Sequence, residues 1–93
     1  MNRKQILAEA EQCICCDREN EYGHPEDNLG KVADFWNDYI GCRMESKFDA
    51  EDVAIMMALL KVARIATGTF KADSYIDAVG YLALAGEIAS KGE

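Results

Sequence analysis

Proline is nearly absent from the sequence: Pro25 is the one proline among 93 residues. The sequence also lacks the alternation of polar and apolar residues that is typical of half-buried strands. Apolar residues recur instead at spacings of three and four, the period of an amphipathic helix. An apolar fraction of 49% excludes a disordered chain, and the length suits one modest core. We therefore predict one all-α domain over residues 1–93, folded like an up-down four-helix bundle.

Long hydrophobic runs and an excess of basic charge are missing as well. No apolar run approaches the ~20 residues of a membrane span. The N-terminal MNRKQILAEAEQ lacks the apolar centre of a signal peptide. A net charge of −7 argues against binding to nucleic acids, whose phosphates attract basic surfaces. We expect a cytoplasmic protein with no membrane partner and no nucleic-acid partner.

Histidine is scarce, and the four cysteines do not follow a usual metal-ligand spacing. Cys13, Cys15 and Cys16 crowd one helical turn, Cys42 stands apart, and His24 is the one histidine. Zinc sites commonly use pairs of cysteines separated by two to four residues. We expect free thiols in a reducing compartment, with no metal site and no resident cofactor. The sequence assigns the four cysteines no role.

Four segments have helical spacing and recognisable ends. Asp49, with Asp52 three residues further on, has the pattern of a capping box. Asp73 or Ser74 is predicted to cap the last helix, and Arg18–Tyr22 is interpreted as a charged, irregular link. The predicted helices cover residues 3–17, 25–40, 50–66 and 74–90. Their boundaries are marked by Pro25, Gly41, Asp49 and Gly68.

The third and fourth helices carry more apolar residues than one small core can bury. Helices that are apolar on several sides need neighbours on several sides. We therefore predict a homo-oligomer, most simply a dimer, that buries the surplus. The apolar residues in question are Met56, Met57, Leu60, Val79, Leu82 and Leu84. Trp36 is predicted to fill the core, and Gly80 inside a helix indicates close approach by another helix or a ligand.

Polar residues within this apolar hairpin form the one constellation that indicates a function. Lys61 and Arg64 lie three residues apart on the third helix, and Asp73, Asp77 and Tyr81 lie four apart on the fourth. Residues at these spacings share a helix face, so the cations should face the acids in an antiparallel hairpin. One interpretation is structural: two ion pairs fix the register of the hairpin. The other is a pocket in which the cations bind phosphate and an aspartate accepts from a sugar or base.

Two further residues are candidates to complete such a pocket. His24 and Asn28 lie at the start of the second helix, where polar side chains can reach a neighbouring ligand. The alternative for His24 is an exposed residue at the helix start.

Four sequence blocks carry a resemblance to known proteins. The blocks YGHPEDN, ADFWNDYIG, DVAIMMALLKVAR and DSYIDAVGYLALA, in this order, resemble a family of short, uncharacterised phage and prophage proteins. The resemblance covers roughly residues 18–88 and implies a protein of the host cytoplasm. More distantly, the paired helices are similar to the MazG-like all-α nucleotide pyrophosphohydrolases. Those enzymes hold magnesium with an E-x-x-E helix and an E-x-x-D helix, and they work as dimers or tetramers.

The chain departs from the motifs of those enzymes. If Asp77 takes the place of the final acid of E-x-x-D, the position three before it is Ser74. The place of E-x-x-E is occupied by Met56, Met57, Leu60 and Lys61. Two-metal phosphate chemistry needs several carboxylates, and the candidates are fewer here. They are Glu26, Asp27, Asp73 and Asp77.

Three hypotheses from different classes follow. The first is a non-catalytic binder of a nucleotide or a nucleotide-derived signal, such as a host immune messenger that phages sequester. The second is a MazG-like, magnesium-dependent nucleoside triphosphate pyrophosphohydrolase with an altered metal set. The third is a helical adaptor for a host or phage protein, in which the ion pairs are structural. The number of carboxylates that converge on the pocket distinguishes the first two, and an exposed apolar groove favours the third.

Overall fold

The computed structural model describes residues 1–41 and 47–92, except for the side chain of Tyr39. These residues form four helices and, within those two ranges, no strand. The first helix, α1, is continuous and consists of Arg3–Gln12, a π-helical turn Cys13–Asp17, and Arg18–Tyr22. The others are α2 (Pro25–Gly41), α3 (Ala50–Thr67) and α4 (Ala72–Ser90). The predicted all-α, four-helix fold is confirmed.

Helix α1 is longer than predicted. The segment Arg18–Tyr22, interpreted above as an irregular link, is helical, so that interpretation was wrong. The Arg18 amide donates to the carbonyl of Cys13, five residues back, which is the hydrogen-bond spacing of a π-turn. The helix ends at Gly23, whose φ of 80° lies in the left-handed region that favours glycine. The charges of this segment belong to a largely exposed helix surface.

Capping boxes start two of the helices. At α3 the Asp49 carboxylate accepts from the Asp52 amide at 2.8 Å, and the Asp52 carboxylate accepts from the Asp49 amide at 3.1 Å. This confirms the predicted cap, which stabilises the helix by about 1 kcal/mol. Asn2 and Gln5 form the same arrangement at α1. Helix α3 ends before Gly68, also as predicted.

Helix α4 begins earlier than predicted. It starts at Ala72, after Lys71 in an extended conformation, and no side chain caps it, so the predicted cap at Asp73 or Ser74 was wrong. Asp73 lies instead in the first turn, where a carboxylate complements the helix dipole. Residues 68–71 connect α3 to α4. So short a connection makes the two helices antiparallel neighbours.

The core lies where α2, α3 and α4 meet, and each helix contributes two residues to it. The buried residues are Leu29, Ala33, Val53, Ala54, Leu84 and Ala85. Trp36 packs against this cluster, with its ring edge-on to Phe48 at 6.1 Å, as predicted for a core residue. The core joins the start of α3 to the second half of α4. We call this the closed end of the hairpin, and the end with residues 68–71 the turn end.

The outer face of α3 is apolar and exposed. Five large residues of this face expose 36–60% of their surface: Ile55, Met56, Leu59, Leu60 and Val62. The sequence predicted more apolar residues than one small core can bury. Of these, Met56, Leu60 and Leu82 are exposed. Leu84 is buried, and Met57 packs against the core. The homo-oligomer that would cover these residues stays a prediction.

Candidate functional site

An ion pair joins the two helices of the hairpin near the turn end. The Nζ atom of Lys61 lies 3.0 Å from a carboxylate oxygen of Asp77, and the two side chains are 16% and 35% exposed. The antiparallel register predicted from the sequence therefore holds for this pair. The second expected pair is not formed, because Arg64 and Asp73 are not within 4.0 Å of each other. The hairpin thus has one cross-helix ion pair, with a second cation and a second acid beside it.

Both pairs of charges nevertheless line one cleft at the turn end. The cleft has a volume of about 510 Å³ and adds Lys71 to the cations that the sequence predicted. Hydroxyl groups of two threonines and a serine also line it. The full set of lining residues is Lys61, Arg64, Thr67, Gly68, Thr69, Lys71, Asp73, Ser74 and Asp77. The structure therefore places Lys61, Arg64, Asp73 and Asp77 together, as the sequence predicted.

Not every group in the cleft is free to bind a ligand. The hydroxyl of Thr67 donates to the carbonyl of Ala63 at 2.8 Å, and Lys61 is engaged by Asp77. Arg64 and Lys71 differ, because within the described ranges neither has a carboxylate within 4.0 Å. The cleft thus combines one compensated cation with two uncompensated ones.

A second, smaller cavity lies between α1 and α4, on the other side of Asp77. Its volume is about 100 Å³. Tyr81, which the sequence placed with Asp73 and Asp77, lines this cavity and not the cleft. Asp77 lines both spaces, so the two adjoin along one face of α4. The lining residues are Cys13, Ile14, Arg18, Ile76, Asp77, Gly80, Tyr81 and Leu84.

Arg18 is the central polar residue of this cavity, and sequence reasoning missed it. Its guanidinium carbon lies 5.5 Å from the centre of the Tyr22 ring and 5.6 Å from that of Tyr81. One terminal nitrogen donates to the side-chain oxygen of Asn28 at 3.0 Å. Its Nε atom is buried and has no hydrogen-bond partner within residues 1–41 and 47–92. The available signal was the spacing of Ile14, Arg18 and Tyr22, which continues the apolar stripe of α1 at intervals of four.

His24 and Asn28 lie at the start of α2, outside the residues that line the cleft. The Asn28 side chain donates to the carbonyl of His24 at 2.8 Å and accepts from Arg18. His24 is exposed. Asn28 is therefore connected to the cavity through Arg18, whereas the structure does not bring the His24 imidazole to either space.

Close contact between α1 and α4 shapes the cavity floor. A β-carbon added to Gly80 would lie 3.0 Å from Cγ2 of Ile14, so a larger residue would push α1 away. The close helix approach predicted at Gly80 is confirmed. Cys13 lies beside this contact, half-buried. Burial raises the pKa of its thiol, and the carboxylates of Asp77 and Asp17 raise it further.

Cys13, Cys15 and Cys16 are free thiols, and Cys42 lies outside the described residues. In residues 1–41 and 47–92, no three His, Cys, Asp or Glu residues lie close enough together to hold a metal ion. Of the candidate carboxylates, Asp73 and Asp77 share the cleft. Glu26 is paired with Lys91 at 3.3 Å, near the far end of α4. Over the same ranges, no helix combines the length and hydropathy that crossing a membrane requires.

Comparison with known proteins relates the chain to bacteriophages. It is 37% identical to the Gene 55 protein of Mycobacterium phage L5 over 76 residues, which cover 82% of this chain and 47% of that protein. It is 35% identical to the Gene 55 protein of Mycobacterium phage D29 over 78 residues, covering 84% and 49% respectively. The chain therefore spans about half the length of the curated relatives it matches. No solved structure matches it.

A family match covers nearly the whole chain. The family described as "Domain of unknown function (DUF6378)" matches residues 5–89, which include the ion pair, the cleft and the cavity. The sequence blocks discussed above lie within the same range. Together with the two phage relatives, this match shows that the chain belongs to the DUF6378 family of uncharacterised proteins.

Proposed function

We propose that the protein binds a phosphorylated small molecule of the nucleotide class in the cleft at the turn end. The observation that carries the proposal is the pair of cations without acidic partners. Arg64 and Lys71 line the same cleft as Lys61 and, among the described residues, lie beyond 4.0 Å from every carboxylate. Two neighbouring uncompensated cations repel each other, and a bound phosphate relieves that repulsion with charge-assisted hydrogen bonds.

The rest of the cleft suits such a ligand. The hydroxyls of Thr69 and Ser74 can donate to phosphate oxygens, and the carboxylate of Asp73 can accept from a sugar hydroxyl. The cleft also lies at the N-terminal end of α4, where the helix dipole favours an anion. The overall net charge of −7 makes this small basic region stand out from the rest of the molecule.

The biological role that we propose is the sequestration of a nucleotide or nucleotide-derived signal, such as an immune messenger of the host cell. The phage relatives support a role during infection. Sequestration requires tight binding but no chemistry, and a cleft rich in cations is sufficient for it. We place the protein in the host cytoplasm, where such messengers occur.

The first experiment measures binding to inorganic triphosphate, nucleoside triphosphates and cyclic dinucleotides, by thermal shift and calorimetry, with and without magnesium. A ligand at 100 times its Kd should stabilise the fold by ~2.7 kcal/mol. The double substitution Lys61→Ala with Arg64→Ala should weaken binding by at least ~100-fold, because each charge-assisted hydrogen bond contributes ~1.5–3 kcal/mol. Circular dichroism of the double variant without ligand checks that it is folded.

The matched control removes the same amount of charge elsewhere. Lys31 and Lys91 are exposed and lie outside the cleft, so Lys31→Ala with Lys91→Ala should retain the affinity of the unmodified protein. Equal losses in the two double variants would show that only the overall charge matters. That outcome, or a folded cleft variant that binds as tightly as the wild type, contradicts the proposal.

A magnesium-dependent nucleotide pyrophosphohydrolase is the second candidate. The observation that favours it is the placement of Asp73 and Asp77 one turn apart, on the same side of the same cleft. Magnesium in phosphate-transfer sites is commonly held by one or two carboxylates, with substrate phosphates and water as further ligands. Release of pyrophosphate from nucleoside triphosphates in the presence of magnesium, abolished by Asp77→Asn, would support this candidate. The distant resemblance to the MazG-like enzymes suggests the same reaction.

A further inference from the structure

The cavity between α1 and α4 is distinct from the cleft in size and in chemistry. At about 100 Å³ it is too small for a whole ligand, since ligand sites usually measure ~300–1,000 Å³. Its large apolar lining residues are Ile14, Ile76 and Leu84, and Arg18, Asp77 and Tyr81 add polar groups to the lining. An apolar lining with a few polar groups suits a subsite for one ring of a larger molecule.

Arg18 provides the observation that indicates a ligand here. Its side chain is held in place by Asn28 and by two tyrosine rings. Its Nε atom is nevertheless buried, and none of the described residues accepts a hydrogen bond from it. A buried donor without an acceptor is costly, and the guanidinium lines a space into which an acceptor can enter. Asp77, whose charge is opposite to that of Arg18, offers an acceptor for a donor on the same ligand.

The cavity and the cleft adjoin at Asp77, which lines both. A ligand with its phosphates beside Arg64 and Lys71 can therefore extend along α4 past Asp77 towards Tyr81. The group that enters the cavity must be compact and mostly apolar on its faces, and it must carry hydrogen-bond donors and acceptors on its edge. Nucleobases have this combination, and they stack on tyrosine and arginine side chains.

We propose that this cavity binds the nucleobase of a nucleoside phosphate whose phosphate groups lie in the cleft. The inference rests on the proposed function, because the cleft must hold the phosphates for the base to reach the cavity. Arg18 is then a binding residue that donates to the base, and Tyr22 and Asn28 position it. The specificity for one base over another comes from the edge that Arg18 and Asp77 contact.

The experiment compares inorganic triphosphate with ATP, GTP, CTP and UTP by calorimetry, with EDTA present to prevent turnover. At least one nucleotide should bind tenfold or more tightly than inorganic triphosphate. Arg18→Gln should remove this difference and leave the affinity for inorganic triphosphate unchanged, whereas the variant of Lys61 and Arg64 should weaken both. If all four nucleotides bind no more tightly than inorganic triphosphate, the cavity proposal is wrong and the cleft proposal stands. If neither class of ligand binds, both are wrong.

A second measurement does not depend on changing Arg18. Cys13 lines the cavity, so a base in the cavity should shield its thiol from alkylation. In a variant with Cys15, Cys16 and Cys42 replaced by serine, the tightest-binding nucleotide at ten times its Kd should slow the reaction of Cys13 with iodoacetamide about tenfold. Inorganic triphosphate at the same saturation should leave the rate unchanged. Equal rates with the two ligands would overturn the proposal even if Arg18→Gln failed to fold.

Discussion

The closed end and the turn end of the hairpin are built from the same two helices, yet they differ in chemistry. No charged residue occurs from Val53 to Leu60 on α3 or from Ala78 to Gly86 on α4. The charges Lys61, Arg64, Asp73 and Asp77 all lie on the other halves. Because the helices are antiparallel, the uncharged half of each meets the uncharged half of the other. The hairpin therefore separates the part that stabilises the fold from the part that we propose binds a charged ligand.

Small residues explain how the closed end excludes water. Three of its six core residues are alanines, which let α2, α3 and α4 approach closely around Leu29, Val53 and Leu84. The exposed ion pair of Lys91 with Glu26 adds little at this end, since exposed pairs contribute ~0–1 kcal/mol. At the turn end the cleft remains open, and its charges keep access to solvent. The packed core and the solvent-open cleft thus lie at opposite ends of one hairpin.

The largest expected effect tests the closed end. Leu84→Ala should lower the free energy of unfolding by ~2–5 kcal/mol, because Leu84 is 3% exposed and its loss leaves a cavity in the core. Leu82→Ala, two residues away and 55% exposed, should change it by less than ~0.5 kcal/mol. Urea denaturation followed by circular dichroism measures both. Similar losses for the two variants would mean that the core is not where we place it.

The next effect concerns the outer face of α3, which we propose is covered by a second copy of the chain. Its exposed residues Ile55, Leu59 and Val62 carry no charge, so two copies of the face can pack together without burying a charge. An antiparallel pairing of two α3 helices also keeps their acidic first turns apart. Leu59→Glu should weaken association by at least ~10-fold, since burying a leucine contributes ~1.5–3 kcal/mol.

Sedimentation at micromolar concentration distinguishes the outcomes. The wild type should sediment above the 10.3 kDa of one chain, and the Leu59→Glu variant should approach it. Lys31→Glu, an exposed change on α2, is the control and should leave association intact. A wild type that is monomeric at these concentrations contradicts the proposal, and binding of α3 by a different protein would then be the remaining explanation for its apolar face.

The smallest expected effect comes from replacing the ion pair at the turn end with apolar residues like those of the closed end. Asp77→Leu alone should lower the free energy of unfolding by about 1 kcal/mol, because Lys61 loses its partner while 16% exposed. Adding Lys61→Met should restore most of that loss, since apolar pairs often replace partly buried ion pairs without cost. The same double variant should lose the affinity for phosphate ligands. A double variant less stable than Asp77→Leu would show that the ion pair is a structural requirement of the hairpin.

Local patterns predicted much of this molecule. The capping box of Asp49, the end of α3 before Gly68 and the pairing of Lys61 with Asp77 depend on residues a few positions apart or on a hairpin with one plausible register. The start of α4 was predicted wrongly because Asp and Ser are residue types that commonly cap helices. The helix nevertheless begins at Ala72, before Asp73 and Ser74, and no side chain caps it. A residue type that is favoured at the N-cap position does not have to occupy that position.

The spacing of Ile14, Arg18 and Tyr22 alone could not predict the cavity around Arg18, because that cavity depends on contacts between distant elements. The charged segment Arg18–Tyr22 has no apolar stripe of its own, and the π-turn before it interrupts the regular helical period. The packing of Arg18 between Tyr22 and Tyr81 brings together residues about 60 positions apart. For the same reason the sequence placed Tyr81 with the cleft, and the structure places it in the adjoining cavity.

The π-turn in α1 keeps the two halves of the helix in phase although it holds one residue more than an α-turn. An α-helix advances by about 100° per residue, and a π-turn accommodates one residue more than an α-turn. Without the π-turn, the same residues would rotate one half of α1 by about 100° against the other, and either Ile14 would leave Gly80 or Arg18 would leave Tyr81. Deleting Cys15 or Cys16 should therefore remove the extra residue and leave a regular α-helix with both contacts in place. Both cysteines are exposed, so the deletion removes no side chain from the core.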